Sequence, residues 1–447
     1  MLIKIFCFIL INLLYPKSNL IEPVFFSEYS SSGKDWITSK KPITKLGAGL
    51  KLTFEKNNFI ITSKFIQLGI LGEIDTSFYS LTNQQALPYI DKSKDADGYW
   101  SEFSEAKISY NNKNYNIHLG KFERKWGYGV NAIHISTKAP SYPQFGLDWT
   151  IKDNLKLYYF HGYLVSGIAD SSYNSYYNNI NNNLGRSIDV KRSIAGHRLE
   201  WVVNKKLTLS LNETVIYAFR GLDFNYLIPI IPFYPIENYL GDTDNLQMGF
   251  DLRFSPSKNN AFYLSFFMDE LTPEWLLDSK NHNWFAWQIG FNSKSFLKRS
   301  IDWGFEYNWT DQRIYKHKFN VNDFYSHNSP LGFWAGPHAQ EFIFYANKNF
   351  KDIKINFTIT TLKRGLNDNS SVLDNYKDKY LPRFHKSLVV EEKILSSFYI
   401  EKHYSNKLFF NISFNNIDFT DVVLLETDER VSINKNSIDI GLFYNIK

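Results

Sequence analysis

Cysteine is nearly absent: Cys7 is the only one in 447 residues. Neither a disulfide framework nor a cysteine metal site can be built from one thiol. Long apolar runs are missing too. A helical membrane protein needs several stretches of about 20 apolar residues, and only the N-terminus comes close. Charge of one sign is missing: 50 basic residues stand against 45 acidic, a net +5. That balance does not point to nucleic acid. Catalytic signatures are missing as well. There is no Gly-x-Ser-x-Gly elbow, no His-Glu-x-x-His and no P-loop. The 10 histidines are scattered singly, and only His197 and His338 stand in an interesting context. No nucleophile can be paired with a base from spacing. These absences predict no enzyme, no cofactor and no metal.

Rings are plentiful. Aromatics make up 17% of the chain, with 29 Tyr, 38 Phe and 11 Trp, yet the mean hydropathy is −0.33. That combination suits a membrane barrel whose strands are apolar on one face only. The order of residues agrees. In Lys354 to Thr360, Ile355, Phe357 and Ile359 share one face and polar residues the other. Leu207 to Asn212 repeats the pattern. Trp303, Phe305, Tyr307 and Trp309 oppose Asp302, Gly304, Glu306 and Asn308. Leu408, Phe410, Ile412 and Phe414 oppose Phe409, Asn411, Ser413 and Asn415. Successive strand side chains point to opposite faces, so each segment has a greasy side and a polar side.

Connections sort into two sizes. Short polar turns fall near 57–58, 111–114, 153–154, 204–205, 256–260, 293–299, 349–352 and 405–407. Long ones run 75–98, 127–147, 166–194, 219–245, 270–282, 311–338, 364–395 and 418–430. Alternating short and long connections mark an outer-membrane barrel, with short periplasmic turns and long extracellular loops. Eight short turns join sixteen strands. Placing both termini in the periplasm adds a last strand at 431–446 and a first from about 24–37. The expectation is therefore an all-β chain: a single antiparallel transmembrane β-barrel of about eighteen strands, with sixteen as the fallback. Residues 1–19, with Lys4 before the apolar run Ile5 to Leu14, read as a signal peptide, leaving 20–447 as the barrel domain. The stretch 174–183 is an Asn/Tyr-rich loop tip.

Charges inside a membrane segment should turn to the lumen, because an Arg or Lys at the lipid midplane costs about 2–4 kcal/mol. On 115–125 that puts Asn116, His118, Gly120 and Arg124 inward, opposite Tyr115, Ile117 and Leu119. On 195–203 it puts Arg198 and Glu200 inward, and on 246–254 Asp251 and Arg253. Asp302 and Glu306 join them. Such charges either pair across the lumen and stiffen the barrel, Arg124 beside acids such as Glu200 among them, or line a polysaccharide path; pairing is the expectation, since buried charges survive mainly when paired. Two stretches stand out: Trp126 to Pro143, with Gly127, Gly129, Pro140 and Pro143 around an extended connection, and Pro330 to His338, with Gly336 and Pro337.

Taken together, these stretches resemble the capsule assembly protein Wzi family. Leu119-Gly-Lys-Phe-Glu-Arg-Lys-Trp-Gly-Tyr-Gly129 looks like that family's Gly-[Arg/Lys]-x-x-Arg-x-Trp-Gly-Pro-Gly stretch, with Tyr128 where Pro is usual. Ser136 to Pro143 looks like its Ser-x-x-Ala-x-x-Pro segment. Ala195-Gly-His-Arg-Leu-Glu200, Tyr226-Leu-Ile-Pro229, Asp244-Asn245 and Gly336-Pro-His-Ala339 follow in the family's order. The resemblance covers about 115–350. It implies an eighteen-stranded outer-membrane barrel that binds capsular or exopolysaccharide and helps attach or assemble capsule at the cell surface. Little room stands before residue 46 for the family's N-terminal periplasmic helices, and the chain ends Phe443-Tyr-Asn-Ile-Lys447 without a terminal aromatic. An export-machinery partner is left open. The residues expected to bind polysaccharide or line the lumen are Arg124, Trp126, Arg198, Glu200, Asp251, Arg253, Glu306 and His338, with outer-membrane lipid around the wall. The composition alone leaves two alternatives, a passive porin and a membrane-embedded enzyme.

Overall fold

A computed structural model describes residues 21–33, 41–74, 83–92, 98–173, 188–269, 283–294, 301–365, 390–423 and 430–446. The expected signal at 1–19 and the loop tip at 174–183 lie outside the described residues.

Eighteen strands form one closed antiparallel barrel. They are β1 (Ile21–Ser30), β2 (Ile43–Lys56), β3 (Phe59–Leu71), β4 (Gly98–Asn111), β5 (Tyr115–Phe122), β6 (Tyr142–Lys152), β7 (Leu155–Ala169), β8 (Asp189–Asn204) and β9 (Leu207–Ala218), then β10 (Asn245–Phe254), β11 (Asn260–Asp269), β12 (Trp284–Ser293), β13 (Asp302–Thr310), β14 (Ala339–Phe350), β15 (Ile353–Gly365), β16 (Val390–His403), β17 (Leu408–Val423) and β18 (Arg430–Tyr444). Each pairs with its sequence neighbour, and β1 closes the ring on β18 through Phe25 opposite Tyr444 and Ser30 opposite Asp439. Closure satisfies every ladder and leaves no sheet edge. Among the described residues no helix is long and apolar enough to cross a membrane.

The wall follows the alternation. Ile117, Leu119, Leu211, Phe398 and Phe414 point outward and are exposed, while His118, Ser210 and Asn415 point inward and are buried. Rings gather on the outer wall near the short turns: Phe59 against Tyr110, Tyr115 against Trp149, and Phe291 against both Phe262 and Trp303. An apolar band with an aromatic girdle is what lipid contact selects. The start of β1 and the end of β18 sit at this end. Lys407, in a short turn, touches Glu22, and its carbonyl accepts from Asn445 N–H.

Three expectations change. The first strand is Ile21–Ser30 rather than 24–37. Several strands run further into the long connections than expected: β7 to Ala169, β8 from Asp189 and β17 to Val423. Alternation fades there because both faces are covered; Arg192, Ser193, Ile194 and Ala195 are all buried in succession. On the other hand, β5 ends at Phe122, so Arg124 lies beyond the strand, and β6 begins at Tyr142, so Pro143 is a strand residue opposite Lys121.

Candidate functional site: a loop-filled lumen

Because β5 stops early, the chain leaves the wall part-way up and turns into the lumen. Residues 123–141 form a folded loop held across its waist by Trp126 N–H donating to Ile135 O at 2.9 Å. Gly127 sits at φ +120°, a backbone region that penalises any Cβ. Gly129 lies so close to the Gln288 side-chain amide that a Cβ would overlap it.

Three buried carboxylates on the wall grip this loop. Glu306 accepts from Val130 N–H at 2.6 Å, Asn131 N–H at 3.1 Å, Tyr263 Oη–H at 2.7 Å and Asn308 Nδ2 at 2.9 Å. Glu341 accepts from Asn131 Nδ2 at 2.8 Å, Asn308 Nδ2 at 2.8 Å and Trp334 Nε1 at 2.7 Å. Asp251 faces His134 Nε2 at 3.1 Å and accepts from Arg198 and Ser265. A carboxylate taken out of water is tolerated only when donors replace the lost hydration. The donors on Glu306 and Glu341 are amides, a hydroxyl and an indole. These two acids therefore act as sockets for the loop's polar groups and not as members of ion pairs.

Two more connections complete the plug. In 311–338, Tyr315, Phe324 and Phe333 are fully buried. Tyr315 Oη–H donates to Ile133 O at 2.8 Å, and Leu331 O accepts from Ser136 N–H at 2.6 Å. In the described part of 72–97, Ala86 N–H donates to Lys138 O at 2.8 Å and Gln84 O accepts from Lys138 Nζ at 3.1 Å. Burial pulls the Lys138 ammonium down to about 7. Ile133, Ile135, Phe160, Ile194, Ile216, Phe267, Tyr315 and Phe333 share one apolar cluster. The barrel thus has a hydrophobic core inside its lumen.

Beneath the loop, towards the short turns, lies a cavity of about 390 Å³. Its lining includes Phe122, Arg124, Trp126, Tyr128, Tyr158 and Glu200. Arg124 donates through Nε to Gln144 Oε1 at 2.7 Å, places Nη2 at 2.9 Å from His118 Nε2, and stacks 4.4 Å over Phe160. Arg198 and Arg253 lie 5.8 and 5.7 Å from the Tyr128 ring. Burial works against the charges of Arg124 and Lys125 and raises the Glu123 carboxyl.

Of the eight expected site residues, the structure brings Arg124, Trp126, Arg198 and Glu200 together on this cavity. Arg253 joins at its edge through Tyr128. Asp251 lies behind Arg198, and Glu306, three strands further along the wall on β13, holds the loop. His338 stands apart, buried at φ +58°, its ring packed against Gly365. One expectation is corrected: no carboxylate among the described residues lies within ion-pair distance of Arg124. The bend after Phe122 swings its guanidinium to Gln144, His118 and a ring, while Glu200 lies 3.9 Å from Arg198. Of the motif residues, Gly120 faces inward on β5, Pro140 is buried in the loop, and Gly336, at φ +72°, offers its carbonyl to Thr310 Oγ1 just before the buried Pro337. Sequence reasoning missed Glu341, Gln288, Asn131 and His134. Glu341 was findable, as an acid on the inward register of a strand. The loop residues carry no local signal.

No family model matches the sequence, and no curated protein matches it. Solved structures do resemble the fold. A structure described as Wzi, an outer-membrane protein involved in group 1 capsule assembly in Escherichia coli and a carbohydrate-binding β-barrel, superposes with a TM-score of 0.58 at 13% identity, over 99% of this chain and 87% of that one. Acinetobacter baumannii OccAB2 gives a TM-score of 0.48 at 10% identity, over 96% and 98% of the two chains. Pseudomonas aeruginosa OprD gives 0.43 at 11%, over 95% and 94%. The fold is that of an outer-membrane β-barrel.

Proposed function

We propose that this chain is an exported outer-membrane barrel that binds surface or capsular polysaccharide and helps attach or assemble capsule, as a member of the Wzi family. One observation carries the reading: the motif from Arg124 to Gly129 builds, on a loop locked into the lumen, a cavity that mixes rings with charged side chains. Rings such as Trp126 and Tyr128 stack on sugar faces, and Arg124, Lys125 and Glu200 can hydrogen-bond hydroxyls. The likeness to a barrel described as carbohydrate-binding supports it. A porin needs a hydrated passage. Here the lumen is packed with Ile133, Ile135, Tyr315 and Phe333, all essentially unexposed. The cavity lies on the short-turn, periplasmic side of the plug, which favours contact with polymer during assembly.

The test is titration of the refolded barrel with acidic and neutral polysaccharide fragments, alongside planar-bilayer conductance. Binding that is lost in Trp126→Ala and Tyr128→Ala barrels of normal heat-modifiability, with little conductance, is expected. Steady ohmic conductance with no glycan binding would refute the reading in favour of the porin.

A further inference from the structure

The connection 219–244 meets the lumen-filling segment 311–338 at its end, where Asn322 Nδ2 donates to Thr243 O at 2.8 Å. Before that it folds back over the outside of the wall. Tyr226 and Phe233 are fully buried against Tyr159, Ala195, Val215 and Tyr217. Those four point outward, because Tyr158, Arg198, Asn212 and Ile216 on the same strands point in. The loop is pinned along its length. Tyr159 Oη–H donates to Tyr226 O at 2.9 Å, Tyr226 Oη–H to Asp244 at 2.7 Å, and Phe233 N–H to Glu213 at 2.8 Å. His197 Nε2 lies 2.8 Å from the same Glu213 carboxylate, and the Phe233 ring covers the imidazole at 4.4 Å. The roof thus covers part of this pair, whose mutual contact offsets its charge on the outer wall.

Between roof and wall runs a slot of about 500 Å³. Leu157, Leu199, Leu211 and Met248 form its wall side together with the paired His197 and Glu213, and Pro229, Ile230 and Pro232 its roof. Leu211 and Ile230 are 64% and 70% exposed. Below, the slot runs into the outward-facing apolar band, with Leu199, Trp201 and Phe250 exposed on it. The loop also presents Phe219, Phe224 and Tyr239 outward, a patch that suits hydrocarbon and not water.

We propose that this slot holds an acyl chain of a surrounding membrane lipid. Three features favour that occupant. The slot is continuous with the lipid-facing band. Its pinned roof keeps it preformed, so filling it orders little protein. β9 is paired on both sides, with β8 and β10, so a peptide finds no strand edge there. Such occupancy needs only that the barrel sits in a membrane, and not that it binds polysaccharide.

The test uses the full chain in phosphatidylethanolamine–phosphatidylglycerol vesicles that contain a phospholipid with a diazirine in its acyl chain. After photolysis, adducts are mapped by mass spectrometry. Adducts should concentrate at Pro229 to Pro232 and Met248, severalfold above Ile438 on the distant wall. Leu211→Trp, which fills the slot, should bring them down severalfold and leave Ile438 unchanged. If that variant fails to insert, Ile230→Ser, on the roof, should lower them without touching the wall. Even labelling around the band, slot labelling that neither variant changes, or slot crosslinks only to a second copy of the chain would overturn the proposal.

Discussion

Replacing Glu306 by Gln should release the lumenal loop while leaving the barrel standing. The carboxylate receives four donors, two on each oxygen: Val130 N–H and Tyr263 Oη–H on one, Asn131 N–H and Asn308 Nδ2 on the other. A glutamine keeps one acceptor oxygen and sets an amide against the other pair. Hydrogen bonds to a charged group contribute about 1.5–3 kcal/mol each, and a buried donor left unpaired costs about 1–3 kcal/mol. Removing a buried charge gives some of this back. A net loss of about 2–4 kcal/mol from the docked loop is expected, and at about 1.4 kcal/mol per tenfold the undocked fraction rises roughly 30- to 700-fold. Ala132 is 1% exposed on the loop. Its replacement, Ala132→Cys, supplies a reporter whose maleimide labelling rate follows local opening. The rate should rise by about that factor in the Glu306→Gln background, and conductance should rise with it. Unchanged labelling together with a lowered melting temperature would refute the reasoning. Glu306 would then brace β11 and β13 through Tyr263 and Asn308 and would not hold the loop.

Phe357→Arg should impair membrane assembly far more than Asn356→Arg, because Phe357 lies opposite Phe398 on the outer face while Asn356 bonds Thr358 inside; an outward Arg costs about 2–4 kcal/mol near the midplane, and equal damage in a heat-modifiability assay would mean the facing is wrong. Arg124→Ala should lower stability by about 2–4 kcal/mol, from its hydrogen bond to Gln144, its contact with His118 and its stacking on Phe160, and should lower glycan retention with it; lost binding at unchanged melting would make Arg124 a direct ligand alone. Lys138 gives a pH dependence: its folded value near 7 lies below the ordinary lysine value of about 10.4, so the unfolded chain holds the extra proton in between, and the docked plug should gain stability as pH rises from about 7 to 10 and level off below 7. Lys138→Met should flatten that trend in maleimide labelling of the Ala132→Cys reporter, and a trend of the same slope would assign it to another group.

The strand count and the lipid-facing side of most strands were legible in the sequence because both are local. A strand's side chains alternate every residue, so Leu207 to Asn212 or Lys354 to Thr360 declares its two faces without reference to anything distant. The turns at 57–58 or 153–154 declare themselves by composition. Inward placement of Arg198, Asp251 and Glu306 followed from the cost of charge in lipid. Their partners did not follow. Glu306 meets Asn131 across 175 residues and Glu341 meets the same Asn131 across 210; nothing near either acid in the chain encodes the other end. The destination of each long connection was equally hidden. Trp126 to Pro143 and 219–245 both read as loops, yet one packs the lumen and the other roofs the outer wall. What separates them is where their neighbouring strands end. β5 stops at Phe122, beside a lumen that offers three buried carboxylates; β9 runs to Ala218 beside an outer face carrying His197 and Glu213. Local alternation fixes which way a residue faces, but only the closed ring decides what it faces.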